Sequence, residues 1–335
     1  MTCRSSRWES SMVVAFVLGL GGCGGPSSDV DAAGPAHDAA GGDAGTSVDA
    51  ATMRTDTGAA LDAGSGNDAG PTSCGTAAPV LTSTTGTEGL VIARDGTIYY
   101  AVSGGVGRIG VDGAVNESWL HIAAGATIWG LALDNANTHL FIADPSAGQL
   151  RVATNLSATP TQAPLAAVTQ PNGVNFGPDG AVYVSDFAND SVLRVDPSTG
   201  ASITVTTSAI SGADGVAFTD DGHLLVTSYT DGTVLSLTLD AAHHETARAT
   251  VATSVPSADG IAVDEHGVLY VGGGSRVYRI GSSGTPDMTL QMGHPGTANL
   301  EWGSGVLGCH DLYVATGSSL TRITLTVGQR AVPWH

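Results

Sequence analysis

Residues 171–185 read PNGVNFGPDGAVYVS, and this stretch contains the pattern that decides the fold. A polar residue and Gly173 precede a short run in which apolar side chains alternate with other residues. The residues Pro178, Asp179 and Gly180 then supply the chemistry of a tight hairpin turn, and a second alternating run follows. A period of two is typical of strands that bury one face. The stretch therefore predicts a β-hairpin.

The same pattern occurs six times along the chain. In each repeat one residue precedes the apolar run. A glycine follows this residue in the first five repeats. The six residues are Glu88, Trp129, Asn172, Asp214, Asp259 and Asn299. Successive positions are 40 to 45 residues apart, and about forty residues make one four-stranded propeller blade. No stretch of this region has a helical period of useful length. The sequence predicts an all-β, six-bladed β-propeller over residues 74–335.

The last blade is one strand short in the sequence. After Asn299 there is room for three strands, which end near Thr326, whereas the segment from Pro79 to Thr84 has strand character. We predict that this N-terminal segment supplies the missing outer strand and closes the ring. Closure removes the two edges that an open array of blades would expose.

The chain begins with a predicted lipoprotein signal peptide, residues 1–22. Two arginines precede the apolar run from Met12 to Leu20, which is too short to span a bilayer. Small residues then lead to Cys23, as in a bacterial lipobox, so lipidation of Cys23 is predicted; an ordinary secretory signal with an incidental cysteine is the alternative. Gly24 favours an outer-membrane destination, on the periplasmic side or at the cell surface. Residues 23–73 carry the lipid and form a linker of Ala, Gly, Asp, Ser and Thr that is predicted to be disordered.

Charge and cysteine content narrow the function. The formal net charge is −19, and all 12 cationic residues are arginine. The lack of lysine excludes a Walker-type phosphate loop and Schiff-base chemistry, and an acidic surface disfavours nucleic acid as a partner.

Cys74 and Cys309 are the two cysteines that remain after Cys3 leaves with the signal peptide and Cys23 takes the lipid. In an oxidising compartment these two are predicted to form a disulfide.

The six repeat positions are expected to lie at one height around the central channel, because the first strand of each blade lines that channel. Three of them are the carboxylates Glu88, Asp214 and Asp259. Oxygen ligands suit a hard divalent ion, with Ca²⁺ favoured and Mg²⁺, Mn²⁺ or Zn²⁺ as alternatives. The competing interpretation is that Asp-Gly and Asn-Gly merely cap the loop entering each inner strand. Glu88 favours the metal site, because Glu is a poor turn residue.

Loops between second and third strands are expected on the same face. They carry Asp144, Asp186, Phe187 and Tyr229, and His294 stands in the loop before blade six. We interpret each of them as a surface loop residue rather than a substrate contact.

Several phrases resemble the gluconolactonase and regucalcin family, which includes senescence marker protein and luciferin-regenerating enzyme. These are Glu88-Gly89, Pro171-Asn172-Gly173, Gly177-Pro178-Asp179-Gly180, Asp259-Gly260-Ile261-Ala262-Val263-Asp264 and Thr297-Ala298-Asn299 before Leu312-Tyr313-Val314. The resemblance covers all six blades.

The resemblance implies a divalent metal held by Glu88, Asp214 and Asp259, with Asn172 beside it. Asp259 would be the proton-transfer residue, and Asn172, Asn299 and Trp129 are the predicted substrate-binding residues. Asp214 stands where the family has Asn, which adds a negative charge. Gln170 stands where sugar lactonases often have Arg, which argues against recognition of an acidic sugar.

Three functions fit these observations. The first is a metal-dependent hydrolase of lactones or esters that acts on a small molecule. The second is a non-catalytic surface propeller, similar to the NHL type, that recognises a small ligand, a glycan or a protein. The third is a structural module with a vestigial ion. A monomer that contacts the membrane only through its lipid anchor is expected. Gly-x-Ser-x-Gly and Cys-x-x-Cys motifs are absent from the sequence, so serine-hydrolase and structural zinc chemistry have no support.

Overall fold

The computed structural model describes residues 76–82, 88–292, 296–325 and 327–328. In chain order its strands are β1 (Thr76–Thr82), β2 (Leu90–Ile92), β3 (Ile98–Val102), β4 (Gly105–Ile109), β5 (Val115–His121), β6 (Leu131–Leu133), β7 (Leu140–Asp144), β8 (Gln149–Thr154), β9 (Thr161–Ala167), β10 (Pro171–Phe176), β11 (Val182–Asp186), β12 (Ser191–Val195), β13 (Ser202–Thr204), β14 (Ala213–Phe218), β15 (Leu224–Ser228), β16 (Thr233–Leu239), β17 (Glu245–Ala252), β18 (Ala258–Val263), β19 (Leu269–Gly273), β20 (Arg276–Ile280), β21 (Pro286–Gln291), β22 (Thr297–Trp302), β23 (Asp311–Thr316) and β24 (Ser319–Thr324). The helical structure in these ranges is a single 3-10 turn, Phe187–Asn189.

The strands form six antiparallel four-stranded sheets. Five sheets use four consecutive strands each, starting at β2, β6, β10, β14 and β18. The sixth has the order β22-β23-β24-β1, so the N-terminal strand is its outermost member. The innermost strands contact one another around a closed ring, from β2 through β22 and back to β2. The predicted six-bladed propeller and its closing strand are both confirmed, with β1 lying slightly earlier in the chain than the predicted Pro79–Thr84.

The hydrophobic core lies between neighbouring blades rather than inside any one sheet. The second strands β3, β7, β11, β15 and β19 are buried at every residue, because a sheet packs on each of their faces. Outer strands such as β21 alternate between partly buried and exposed residues. Side chains such as Tyr100, Phe141 and Tyr183 are fully buried and fill the space between blades. Each large apolar residue buried in this way contributes about 1.5–3 kcal/mol.

The hairpin turns follow the sequence prediction. Gly180, Gly222 and Gly267 have φ of 74°, 86° and 77°, the left-handed values that glycine adopts without strain. The Asp179 carboxylate accepts a hydrogen bond from the backbone N–H of Ala181 at 3.2 Å. It also forms an ion pair with Arg194 on the third strand of the blade, at 2.6 Å. These turns are therefore structural.

The glycines that follow the repeat positions are required by close packing of neighbouring inner strands. A Cβ added at Gly215 would lie 2.4 Å from the carbonyl oxygen of Asp259 in the next blade. The same clash with the next blade would occur at 1.9, 2.2 and 2.3 Å for Gly89, Gly130 and Gly173. Because the obstructing atoms belong to the backbone, a side chain cannot simply rotate away. The repeated glycine lets adjacent inner strands approach at the channel.

Replacement of Gly215 by Ala should destabilise the propeller by about 1–3 kcal/mol through overpacking of two backbones. Denaturant unfolding measures the change. Ser202→Ala, at an exposed position of the outer strand β13, is the control and should change stability by less than about 0.5 kcal/mol. Equal stability of Gly215→Ala and wild type would contradict the close-packing explanation.

Several predictions fall on the termini. Cys23, the signal peptide, the linker and Cys74 lie outside the described residues, so lipidation and the disulfide stay predictions. Cys309 is exposed with a free thiol. It lies in the loop between β22 and β23, on the face opposite the starts of the inner strands. None of the described helical structure is long and apolar enough to cross a membrane.

Candidate functional site

The strand pairing fixes which repeat positions are equivalent. Val174, Val216, Ile261 and Leu300 pair in turn with Val184, Val226, Val271 and Val314 of the second strands. Counting back two residues places Asn172, Asp214 and Asp259 at one level. The pairs Leu90–Tyr100 and Leu131–Ile142 place Glu88 and Trp129 at that same level. Five of the six predicted equivalences are therefore correct.

The sixth equivalence is wrong by one residue. The pairing of β22 with β23 places Ala298, not Asn299, at the level of the carboxylates. Asn299 occupies the position that glycine holds in the other blades. A side chain is tolerated there because it reaches across to blade one, where its amide donates to the carbonyl oxygen of Leu90 at 3.3 Å. The degenerate sequence of blade six hid this offset.

A central cavity of about 380 Å³ connects the predicted site residues. Glu88, Asn172, Asp214, Asp259 and Asn299 all line it. The Trp129 side chain lies near Glu88 and lowers the pKa of that carboxyl. The cavity thus brings together the three predicted metal ligands with Asn172 and Asn299, although Asn299 takes a different position from the one expected. Trp129 lies at the predicted level but is not among the residues that line the cavity.

The three carboxylates interact strongly with one another. Burial raises the pKa of Glu88 to about 8, the charge of Asp259 adds to the rise, and the Trp129 hydrogen bond opposes it. Burial also raises the pKa of Asp259 to about 7, against hydrogen bonds from the Gly260 N–H and from Asp214. The pKa of Asp214 lies well above its usual value, because of burial first and then the charges of Asp259 and Glu88. Carboxyl groups with such raised pKa values stay protonated near neutral pH unless a cation neutralises them.

Asp214 and Asp259 form a hydrogen-bonded carboxyl pair. Burial raises the pKa of both carboxyls, so the two titrate as one pair. Asp214 is only 2% exposed, whereas Asp259 and Glu88 keep some surface in the cavity. A buried pair that shares one proton is the expected response of like charges held close together.

The donor chemistry fits a hard divalent cation, because all candidate ligands are carboxylate or amide oxygens. Their arrangement is less complete. Within the described ranges, no group of three or more His, Cys, Asp or Glu side chains is placed to hold a metal ion. The oxygen atoms of Asp214 and Asp259 are engaged with each other. Displacement of their shared proton would free those oxygens for a cation.

The far half of the cavity contains a carboxylate that the sequence interpretation missed. Glu301 lines the channel, and burial raises its pKa to about 7 against one hydrogen bond from the Trp302 N–H. Glu301 is level with Asn175 of blade three, since they pair with Tyr313 and Tyr183 of their second strands. The alternation of Leu300, Glu301 and Trp302 carried the signal, but the one-residue offset in blade six obscured it.

The rim residues divide into buried carboxylates and aromatic residues, of which Phe187 is partly buried and Tyr229 is exposed. Asp144 and Asp186 are 1% and 2% exposed, so the expectation that they are surface residues is wrong. Asp144 forms an ion pair with Arg151 at 2.6 Å, and Asp186 accepts hydrogen bonds from the backbone N–H groups of Thr169 and Gln170. Tyr229 is 40% exposed. His294 lies outside the described residues.

Residues 79–318 match the sequence profile of a family described as the SMP-30/Gluconolactonase/LRE-like region. The chain belongs to this family. The family resemblance drawn from the blade motifs is thereby confirmed, and the match reaches into all six blades but ends before β24. A comparison with curated proteins gives no significant match.

Solved structures show the same fold. A gluconolactonase from Xanthomonas campestris is 19% identical, with a TM-score of 0.64 over 77% of this chain and 91% of that one. The calcium-binding protein regucalcin from Agrobacterium tumefaciens is 15% identical, with a TM-score of 0.63 over 78% and 98%. Virginiamycin B lyase from Staphylococcus aureus is 12% identical, with a TM-score of 0.56 over 75% and 100%. At these identities the likeness concerns architecture, and different chemistries share it.

Proposed function

We propose that this propeller is a metal-dependent hydrolase of lactones or esters. The observation that carries the proposal is the group of three interacting carboxylates, Glu88, Asp214 and Asp259, at one level of a central cavity. Such a group is costly for a fold unless a proton or a cation neutralises it. Membership of a family that contains gluconolactonases supports a hydrolytic use of the site.

Glu88, Asp214 and Asp259 would hold the cation, with Ca²⁺ favoured and Asn172 beside it. When bound, a divalent cation polarises an ester carbonyl and acidifies water. Asp259 would accept the proton of the attacking water and return it to the leaving oxygen as the acyl C–O bond breaks. The Asn172 amide, which lines the cavity, would orient the substrate carbonyl. Water and the ester thus yield a carboxylic acid and an alcohol, which in a lactone are one molecule.

A binding propeller without turnover is the second candidate. It is favoured by the lack of a ready metal-binding group of His, Cys, Asp or Glu in the described ranges. Such a propeller would use the same cavity to hold a small ligand, a glycan or a protein segment. Under either function, we propose that Cys23 anchors the chain to the outer membrane, while the linker allows the propeller to reach its substrate or ligand.

The decisive experiment measures metal stabilisation and turnover on the same protein. Ca²⁺ added after chelation should raise the melting temperature by several degrees, since a ligand at a hundredfold excess over Kd adds about 2.7 kcal/mol. Glu88→Gln should abolish most of that rise. With metal present, hydrolysis should be detected in a panel of lactones, and Asp259→Asn should lower kcat by about 100-fold or more.

Two matched controls isolate the site. Glu117→Gln makes the same chemical change on the exposed strand β5, and Asp112→Asn keeps the side-chain oxygen that accepts the Ala114 N–H. Both variants should behave as wild type. Metal stabilisation without hydrolysis would favour the binding propeller. Identical melting curves with Ca²⁺, Mg²⁺, Mn²⁺ and Zn²⁺ and with chelator would reject the metal site and the mechanism together.

A further inference from the structure

Three aromatic side chains form a continuous row on the face of the propeller where the inner strands begin. The rings of Trp129 and Phe187 lie 6.3 Å apart at 64°, and those of Phe187 and Tyr229 lie 5.9 Å apart at 66°. Both are edge-to-face contacts of the kind that aromatic pairs prefer. The row therefore crosses blades two, three and four, and we call it the aromatic wall.

The wall begins at the carboxylates. The Trp129 side chain lies near enough to Glu88 to lower the pKa of that carboxyl, which connects the first ring with the candidate site. The backbone N–H of Phe187 donates to the Gln170 carbonyl at 3.0 Å, and Gln170 lies two residues before Asn172. The other two rings thus stand at the entrances of the strands that carry site residues.

Tyr229 repeats the geometry of Phe187 in the next blade. Its backbone N–H donates to the Gly212 carbonyl at 3.0 Å, and Gly212 lies two residues before Asp214. Gly212 also makes room for the neighbouring ring, because a Cβ there would lie 3.2 Å from Phe187. The wall is therefore fixed to the same backbone segments that position Asn172 and Asp214.

The wall occupies only one side of the mouth. Strand pairing makes Phe187 and Tyr229 equivalent to small or ring-free positions in the other blades, which are Ser103, Pro145, Gly274 and Gly317. The turns that join second and third strands in blades one, five and six are two residues long. A ligand would meet rings on one side and short turns on the other.

The exposure of Tyr229 requires an explanation, whereas the Trp129 and Phe187 rings are partly buried. Tyr229 is one of four large hydrophobic side chains in the described ranges that are classed as exposed, and it is the only aromatic one. An exposed aromatic ring on the face where the inner strands begin is a candidate ligand contact, since rings supply large apolar area with few rotatable bonds. The Asn189 NH2 group in the Phe187 turn already donates to Thr169 and Asp186, so it is not a free donor beside the rings.

We infer that the aromatic wall of Trp129, Phe187 and Tyr229 selects lactones or esters that carry an aromatic or other flat apolar group beside the reacting carbonyl. The choice of substrate class rests on the proposed hydrolase function, but the wall itself can be tested by binding alone. The apolar group lies along Phe187 and Tyr229, while the carbonyl reaches Asn172 and the carboxylates.

Two matched pairs of small molecules test the wall. The lactams 5-phenylpyrrolidin-2-one and pyrrolidin-2-one resist hydrolysis, so their Kd values, measured by ligand-observed NMR, report binding only. The corresponding lactones, γ-phenyl-γ-butyrolactone and γ-butyrolactone, report turnover. Wild-type protein should bind the phenyl lactam at least tenfold more tightly than the parent lactam. Tyr229→Ala and Phe187→Ala should each reduce this preference by about tenfold at most, the size of one buried ring contact.

Conservative variants test whether a lost preference reflects the ring or misfolding, and a control variant tests whether the effect is specific to the wall. Tyr229→Phe keeps the ring and should keep the preference, and Phe187→Leu replaces Phe187→Ala if the latter does not fold. Val306→Ala changes a side chain that is 69% exposed on the opposite face and should have no effect. Melting curves verify that each variant is folded.

The outcomes separate the wall from the hydrolase function. A phenyl preference in binding that the wall variants remove supports the wall, even if neither lactone is hydrolysed, in which case the proposed function fails alone. Hydrolysis of both lactones with no phenyl preference overturns the wall and leaves the hydrolase function standing. A preference that survives in the Phe187→Ala, Tyr229→Ala double variant also overturns it.

Discussion

A chain that starts at residue 88 is expected to lose on the order of 5 kcal/mol of stability relative to one that starts at residue 74. The missing segment contains β1, which pairs along β24 from Thr76–Thr324 to Thr82–Ser319. Each lost backbone hydrogen bond costs about 0.5–1.5 kcal/mol net, and β24 becomes an exposed edge. The melting temperature should fall by about 10 °C or more.

Thermal and denaturant unfolding of both chains measure this effect, and light scattering detects association through the exposed edge of β24. The chain that starts at residue 74 removes the predicted signal peptide and linker but keeps Cys74 and β1, so it should be as stable as the mature chain. Equal stability of the two truncated chains would show that blade six closes the ring without β1.

The closing of the ring by β1 also illustrates why the architecture could be predicted from sequence. Alternation, Asp-Gly turns and a forty-residue interval are local or periodic signals, and they do not depend on knowing which side chains meet. Counting the strands of each repeat predicted that blade six lacks a fourth strand. Its result, an outer strand supplied by the N-terminus, is the observed order β22-β23-β24-β1.

The site was only partly predictable, and the reason is the register of one strand. Five inner strands carry a glycine because a Cβ would strike the next blade. Blade six lacks this glycine, so the sequence alignment placed Asn299 at the level that Ala298 occupies. The same one-residue error hid Glu301. The clash that explains the glycine is a contact between blades, and its absence at Asn299 is visible only when both strands are in place.

The aromatic wall could not be found from periodicity at all. Phe187 and Tyr229 occupy equivalent turns, but the alternation of strands says nothing about the direction of a loop side chain. Their contact with each other and with Trp129 depends on the packing of three blades. The buried anchors Asp144 and Asp186 were misjudged for the same reason, since polar residues in loops look alike in sequence whether they face solvent or hold backbone N–H groups.

The stability of the metal-free propeller is expected to fall as pH rises from about 5 to 8, by on the order of 3 kcal/mol. Glu88 and Asp259 have folded-state pKa values of about 8 and 7, and that of Asp214 is also raised. The folded chain therefore binds more protons than the unfolded chain in this window, so stability is fully present below the unfolded values and is lost as the folded groups ionise. Denaturant unfolding in chelator at several pH values measures the slope.

Neutral variants identify the groups responsible for that slope. Glu88→Gln and Asp259→Asn mimic the protonated forms and should each flatten the decline, whereas Glu117→Gln on the exposed face of β5 should leave it unchanged. Glu301, whose pKa is raised to about 7 in the same channel, contributes in the same direction, so Glu301→Gln measures its share separately. Carboxyl groups with lowered pKa values, such as Asp134 and Glu245, affect stability mainly below pH 5.

Saturating Ca²⁺ should remove the decline in stability, because it replaces the lost protons with a cation. A slope as steep as that of wild type in the Glu88→Gln, Asp259→Asn double variant would mean that these carboxylates do not control the stability of the ring.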